Sequence, residues 1–205
     1  MSKDKEWHRR RHLFRGLASL CVTIVFIILL IILIIYLVLR PTKPHFYLQN
    51  LHLIKINASP ATNTPPTLSI NLQATLSSRN PNSRIGIYYS NLDTYVTYRD
   101  EPITVPVSLP PVYEGHKDVA VWSPVLYGSG VPVDPYVANA IAQDQAAGLL
   151  LLHVKVDGRV KWKVGSWTSG HYHLFVNCPI FVSPNNGNTI QGDGLPEIVE
   201  CHVEV

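Results

Sequence analysis

Three histidines are the side chains of this sequence that come closest to a metal-binding pattern. His171 and His173 are two residues apart, so both imidazoles would project from the same face of a strand, and His202 lies on the polar face of the last predicted strand. Zinc accepts imidazole ligands but needs a third or fourth ligand and ordered groups around them. Nothing in the sequence brings His202 beside the other two. The pattern therefore favours solvated surface histidines, with no metal and no cofactor.

The motifs of common enzyme sites are absent from the sequence. There is no G-x-S-x-G, C-x-x-C, H-E-x-x-H or G-x-G-x-x-G segment and no Walker loop. Two carboxylates could serve a glycosidase, but the acids of this chain are scattered near predicted turns. These acids are Asp93, Asp100, Glu101, Glu114 and Asp118. We predict no catalytic residue and no enzymatic activity.

A single long apolar segment accounts for the hydrophobic excess of the chain. The 205 residues are 46% hydrophobic and 15% charged, which excludes disorder and a nucleic-acid binder that depends on bulk positive charge. Residues 17–39 contain no charge, and 18 of these 23 residues are Leu, Ile, Val or Phe. As a helix of about 1.5 Å per residue, the segment would cross a hydrocarbon core of about 30 Å. It is too long for a cleaved signal peptide, so we predict one uncleaved signal-anchor helix at 17–39.

Charge predicts the orientation of this helix. Residues 1–40 carry seven Lys or Arg and two acids, whereas 41–205 carry ten and twelve. The positive-inside rule then places a basic tail, 1–16, in the cytosol and the rest of the chain outside or in the secretory lumen. We expect the plasma membrane, with the endoplasmic reticulum as the alternative because Arg9-Arg10-Arg11 could act as a retrieval signal. The lipid bilayer is the expected partner of the helix, and no nucleic acid is expected.

Two cysteines and one sequon fit a compartment outside the cytosol. Cys178 and Cys201 both fall on the apolar side of predicted strands, which favours a disulfide, with two buried free thiols as the alternative. Asn57-Ala58-Ser59 is a candidate glycosylation site at Asn57, because Pro65 spoils the sequon at Asn63.

The remainder of the chain has the period-two pattern of short strands. Strands are predicted in these ranges: 46–58, 68–76, 85–89, 94–98, 119–127, 149–156, 159–164, 172–180 and 199–205. Asp157-Gly158 is predicted to turn a hairpin, and a short helix is predicted at 137–147 with Gly148 as its stop. The fold class is therefore an all-β, immunoglobulin- or fibronectin-III-like antiparallel β-sandwich, preceded by a single transmembrane α-helix. Its divisions are a juxtamembrane segment with the first strand at 40–66 and the sandwich at 67–205.

Four segments, in order, resemble one plant family. The segment from Asn80 to Tyr89 fits N-P-N-x-x-I-G-I-x-Y, Tyr113–Lys117 fits Y-x-G-H-K, 160–167 is a basic-aromatic strand, and Cys178 and Cys201 fit a late cysteine pair. The chain thus resembles the family related to the non-race-specific disease-resistance and harpin-induced proteins, whose ectodomain is the late embryogenesis abundant group 2 domain. The motif residues are Asn80, Pro81, Asn82, Ile85, Gly86, Tyr113, Gly115, His116, Lys117, Trp162 and Trp167. Structural roles are favoured for them: a tight turn at Asn80–Asn82, close packing or a bulge at Gly86, and a polar loop at 115–117.

What the resemblance implies is a membrane-anchored, non-enzymatic protein of plant defence and stress response. Its ectodomain would act through unidentified protein partners or by self-association. Some relatives carry a lipid anchor at the carboxyl end; residues 200–205 offer no apolar tail for one, so the helix is the expected anchor. The alternatives are a lipid or small-ligand binding module, which requires an apolar pocket between the sheets, and a protectant during water loss.

Overall fold

The computed structural model of the protein describes residues 19–33, 41–59, 66–183 and 198–205. The chain divides into two compact units, Met1–Arg40 and Pro41–Val205. In the first unit, residues 19–33 form a helix, α1. Within the described ranges, no helix has the length and apolarity that crossing a bilayer requires. The predicted tail, 1–16, and residues 17, 18 and 34–39 of the predicted span lie outside the described residues.

Five of the described strands form the smaller sheet of the second unit. They are β1 (His45–Ser59), β2 (Thr67–Arg79), β7 (Val119–Trp122), β8 (Val125–Pro132) and β12 (Val199–Glu200). The order is β12-β1-β2-β7, and β8 continues along the same edge of β2 as β7. Every pairing is antiparallel, with His45 opposite Arg79 at one end and Ser59 opposite Thr67 at the other.

Eight described strands form the larger sheet. They are β3 (Gly86–Tyr98), β4 (Glu101–Pro102), β5 (Val107–Leu109), β6 (Val112–Glu114), β9 (Leu150–Val164), β10 (Trp167–Thr168), β11 (Tyr172–Val182) and β13 (His202–Glu204). The order is β13-β11-β9-β3-β4; β5 and β6 also pair with β3, and β10 pairs with β9. Again all pairings are antiparallel. The prediction of an all-β fold with antiparallel sheets is confirmed.

The core lies between the two sheets and follows the period of two that the sequence predicts. In β2 the apolar residues are buried and the intervening polar residues are more exposed. The buried set is Leu68, Ile70, Leu72, Ala74 and Leu76. Three aromatic rings join the sheets: Phe46 stacks on Trp122 at 6.3 Å, and Tyr89 meets both rings edge-on at 5.9 and 5.4 Å. Such pairs add about 0.5–1.5 kcal/mol each beyond the area that they bury.

The predicted helix is present as α2 (Pro135–Ala147). It begins two residues earlier than predicted, because the Asp134 side chain caps it by accepting a hydrogen bond from the Tyr136 amide at 2.7 Å, and Pro135 fits the first turn. Gly148 ends it in the left-handed conformation, at φ 77°, as its sequence position predicts.

The hairpin predicted at Asp157-Gly158 is wrong, because β9 runs without a break from Leu150 to Val164. Gly158 is instead required by the neighbouring strand, where β3 has a bulge between Ser90 and Asp93. A Cβ on Gly158 would lie 2.5 Å from the Asn91 carbonyl oxygen. The glycine therefore marks a close approach of two strands rather than a turn.

Other predicted boundaries also need correction. The strands predicted at 85–89 and 94–98 are one strand, β3, which continues through the bulge at Asn91 with φ 52°. Conversely, the strand predicted at 119–127 is two, β7 and β8, separated at Ser123 and Pro124. Proline has no N–H to contribute to a sheet, which explains the interruption.

Candidate functional site at one end of the sandwich

Three of the four motif segments meet at one end of the sandwich, which we call the motif end; the fourth, the cysteine pair, joins β11 to the chain between β12 and β13. It is formed by residues 41–44, by the β2–β3 connection at 80–85, by the loop at 115–118, and by the turn between β9 and β10 at 165–166. Strand pairing fixes these connections at the same end of the strands. Gly86 pairs with Lys163, and Arg79 pairs with both His45 and Val119.

Asn80 is the polar centre of the motif end. Its side chain is fully buried and its Nδ2 donates to two carbonyl oxygens, those of Ile85 at 2.7 Å and Gly115 at 2.8 Å. Its Oδ1 accepts from both the backbone amide and the side-chain amide of Asn82, each at 2.9 Å. Asn80 therefore satisfies a buried turn whose backbone groups would otherwise be unpaired, a structural role that few side chains can fill.

Asn82 extends this network to the segment that precedes β1. Its side chain exchanges two hydrogen bonds with the backbone of Thr42, and its carbonyl oxygen accepts from the Lys117 amide at 3.1 Å. The Lys117 ammonium in turn donates to the Pro81 carbonyl oxygen. Three stretches that are far apart in sequence are thus held together by the N-P-N turn.

Gly86 allows the ring of Tyr113 to lie directly over β3, because a side chain at this position would collide with the Tyr113 ring. Tyr113 also packs against Tyr88, with ring centroids 4.4 Å apart. The Lys163 ammonium lies over both rings, 5.5 and 5.3 Å from their centroids, and donates to the Tyr88 hydroxyl at 3.2 Å. This hydrogen bond raises the pKa of Lys163, which stays charged.

A buried carboxylate lies beneath this cluster. Glu114, which is 1% exposed, accepts through Oε2 from the Tyr89 hydroxyl at 2.7 Å and from the Ser78 hydroxyl at 3.1 Å, while its Oε1 has no protein partner. Since Ser78 and Tyr89 also touch at 2.6 Å, three contacts share two hydroxyl protons. Burial raises the pKa of Glu114, although the hydrogen bonds from Tyr89 and Ser78 act to lower it. Burial also raises the pKa of Tyr89.

The segment 160–167, predicted as one basic-aromatic strand, is divided between β9 and β10, and its two tryptophans have different environments. Trp162 is buried, and its backbone amide donates to the Ser169 hydroxyl at 2.9 Å, while the Ser169 amide donates to the Trp162 carbonyl oxygen, also at 2.9 Å. Trp167 is 62% exposed near the tip of the β9–β10 hairpin, where Gly165 turns with φ 56°. His116, at the tip of the 115–118 loop, is likewise exposed.

The three candidate metal-binding histidines are not brought together. His202 is paired with Asn177, four residues along β11 from His173, a separation of about 13 Å along the strand. His173 lies 3.5 Å from Asp157, and His202 lies 3.2 Å from Glu204. Within the described part of the chain, no three potential ligands of His, Cys, Asp or Glu are clustered.

The acids considered for a glycosidase are placed separately as well. Glu114 is inside the protein, whereas Asp93 accepts from the Ser108 hydroxyl and Asp100 pairs with Lys155 at 3.1 Å. Asp118 accepts from the Val119 amide at 2.9 Å, which organises the 115–118 loop. Glu101 lies exposed in β4.

The structure contains the predicted disulfide: Cys178 of β11 is bonded to Cys201, which lies between β12 and β13. Asn57 is exposed in β1 opposite Ser69. The glycosylation of Asn57 stays a prediction.

Two shallow cavities lie on the outer face of the larger sheet, side by side at Tyr95. One, of about 430 Å³, is lined among others by Lys155, Phe175 and His202; the second, of about 400 Å³, includes Asp157 and Arg159. Both are on the face opposite the core, not between the sheets, where the lipid-binding alternative requires its pocket.

Sequence reasoning missed the network of Ser78, Tyr89 and Glu114. From the sequence, Glu114 is placed near a predicted turn, with the other acids, but the apolar Val112 two residues before it and the period of two indicate that Glu114 faces inward. The hydroxyl partners gave no signal, because they lie 36 and 25 residues away from Glu114 in sequence.

Comparisons with known proteins agree with these motifs. Residues 75–178 match the family model described as late embryogenesis abundant protein. From Arabidopsis thaliana, NDR1/HIN1-like protein 1 is 48% identical over 92% of this chain and 88% of its own length. NDR1/HIN1-like protein 12 is 42% identical over 82% and 78%, and NDR1/HIN1-like protein 26 is 36% identical over 72% and 68%. A solved structure from Archaeoglobus fulgidus, with a TM-score of 0.30 at 11% identity over 64% of this chain and 96% of that one, is too distant to bear on function.

Proposed function

The chain belongs to the NDR1/HIN1-like family of plant proteins, and we propose that it is a single-pass, membrane-anchored, non-enzymatic protein of plant defence or stress response. Its β-sandwich acts as an ectodomain that binds other molecules at the cell surface. We also propose that this ectodomain has an immunoglobulin- or fibronectin-III-like topology.

The main support for the proposal is that the buried polar side chains in and beside the motif end form their hydrogen bonds within the protein. Asn80, Asn82 and Glu114 are buried, and their hydrogen bonds go to the protein itself. A general acid or base must come within hydrogen-bonding reach of a substrate, which a carboxylate that is 1% exposed cannot do without unfolding its surroundings. The motif thus maintains a shape, and a binding role follows more naturally than catalysis.

Anchoring is supported by the sequence of residues 17–39 and by the charge difference across them. The compact unit Pro41–Val205 begins two residues after this segment. Its disulfide is of the kind that persists outside the cytosol.

The outer face of the larger sheet offers side chains suited to a protein partner. Leu151 and Phe181 are paired across β9 and β11 and are 36% and 47% exposed, and Phe175 on the same face is 48% exposed. Exposed aromatic side chains beside polar and basic ones are typical of interface anchors. We propose that this face contacts protein neighbours.

The anchoring is tested by protease treatment of intact plant cells that express the full chain with a tag at each end. We expect loss of the carboxyl-terminal tag without permeabilisation and retention of the protein in membranes after alkaline extraction. Protection of that tag until permeabilisation would contradict surface display.

The interaction face is tested by proximity labelling from the same ectodomain, before and after pathogen elicitation. The variant Phe175→Ser with Phe181→Ser should lose labelled neighbours that the parent retains. Val121→Ser is the matched control, because Val121 is 56% exposed on the smaller sheet. Identical labelling for parent and double variant would remove the face from the proposal.

A further inference from the structure

We propose that the motif end of the sandwich lies against the phospholipid headgroup layer and that Trp167 enters this layer from the tip of the β9–β10 hairpin. The inference rests on the proposed membrane anchoring and adds to it a defined orientation of the ectodomain. The ligand is the bilayer surface itself.

Chain length limits where the motif end can be. The predicted span ends at Leu39, and Thr42 is already bound to Asn82 through two hydrogen bonds. Three residues reach at most about 11 Å even when fully extended. If the span ends at Leu39, the N-P-N turn must therefore lie close to the point at which the chain leaves the bilayer, and the other connections of the motif end lie at the same end of the strands.

Trp167 has the chemistry and the support of an interfacial anchor. Its indole combines an apolar body with one N–H donor, which is why tryptophan is enriched at the boundary between water and hydrocarbon. It is 62% exposed, yet its hairpin is held by the reciprocal hydrogen bonds of Trp162 and Ser169. An exposed indole on a braced hairpin can enter the headgroup layer without ordering a flexible loop.

The charges at the two ends of the sandwich differ in the direction that this orientation requires. Described charged side chains in the connections of the motif end are Lys43, Arg84, Lys117 and Asp118. Those in the β3–β4 turn, at the start of β4 and in or next to α2, at the opposite end, are Arg99, Asp100, Glu101, Asp134 and Asp144, and Lys155 of β9 pairs with Asp100, so that four acids stand against two bases there. Lysine and arginine favour the level of the lipid phosphates, and carboxylates avoid it. The basic end therefore faces the bilayer and the acidic end faces away.

The experiment uses the full chain in phosphatidylcholine vesicles with and without phosphatidylserine, prepared with or without lipids brominated near the headgroup. Bromine quenches indole fluorescence only at close range. The parent protein of this experiment carries Trp7→Phe, which removes the tryptophan of the tail. Trp122 and Trp162 are only 3% and 6% exposed, so their fluorescence comes from the protein interior and should not be quenched by the lipids. We expect a quenched component that disappears in the further variant Trp167→Phe.

The matched control moves the indole to the opposite end. Tyr136 is 65% exposed at the start of α2, and the length of β3 places it about 40 Å from Trp167. The triple variant with Trp7→Phe, Trp167→Phe and Tyr136→Trp should therefore show no such quenching. Alkaline extraction of the same vesicles reports the anchoring separately. Retained protein with equal quenching in the parent and the Tyr136→Trp variant overturns this inference alone. Loss of the protein from the vesicles overturns the proposed anchoring and this inference with it.

Discussion

Asn82 and Thr42 exchange two hydrogen bonds: the Thr42 amide donates to Asn82 Oδ1 at 2.9 Å, and Asn82 Nδ2 donates to the Thr42 carbonyl oxygen at 2.8 Å. The side-chain amide of Asn82 thus makes the same reciprocal pair of hydrogen bonds with the Thr42 backbone that two residues of neighbouring antiparallel strands make with each other. Because 40 residues separate the two, this contact joins the start of the sandwich to the β2–β3 connection.

Replacing Asn82 with alanine should destabilise the sandwich by about 2–4 kcal/mol, because the Thr42 groups lose their partners and Asn80 Oδ1 loses one donor. The measurement is the urea midpoint of the purified protein by near-ultraviolet circular dichroism. Ser83→Ala is the control, since Ser83 is exposed in the same turn and should stay within about 0.5 kcal/mol. Equal midpoints for the two variants would show that the contact contributes nothing.

Glu114 should make the stability of the protein depend on pH. Its pKa in the folded state is raised above its ordinary value of 4.5, so the folded protein holds this proton more tightly than the unfolded chain does. The stabilisation from the neutral acid is complete below pH 4.5 and is lost as pH rises through the folded-state pKa. The free energy of unfolding of the wild type should therefore fall relative to Glu114→Gln over that window. Parallel pH profiles of the two proteins would contradict the buried-acid description.

Gly158→Ala should destabilise the protein by about 1–3 kcal/mol or more, because the added methyl group would collide with the Asn91 carbonyl oxygen and with Leu92. Thermal unfolding provides the measurement. Gly170→Ala serves as the control: nothing lies within 4 Å of the position where its Cβ would be, so its stability should be nearly unchanged. A tolerated alanine at 158 would mean that the β3 bulge can relax.

Removing the disulfide with Cys178→Ser and Cys201→Ser should lower stability by about 3 kcal/mol, the loop-closure value for a separation of 23 residues. Unfolding is measured with and without reductant. The wild type should become less stable on reduction, and the double variant should not respond. A reductant effect of the same size in both proteins would indicate another cause.

The sequence predicted the elements whose side chains alternate or whose ends carry local signals. β2 alternates between exposed or half-buried and buried residues from Thr67 to Leu76, and α2 has Pro135 at its start and Gly148 at its end. Such patterns depend on neighbours a few residues away, which one sequence displays directly.

Features that depend on a distant strand could not be predicted in the same way. Asp157-Gly158 has the composition of a hairpin turn, but the reason for the glycine is Asn91, which lies 67 positions earlier in the chain. The hydroxyl partners of Glu114 likewise could not be predicted, because they belong to the distant strands β2 and β3. The resemblance identified the motif segments but gave no sign that three of them meet at one end of the sandwich.

The bond between Cys178 and Cys201 closes the chain between these two residues into a covalent ring. A peptidase that cuts anywhere in this ring leaves the final strands fastened to β11 by sulfur as well as by backbone pairing. A protein nicked there would migrate as one species until it is reduced. A single cleavage between Cys178 and Cys201 therefore does not release the last strands from the protein.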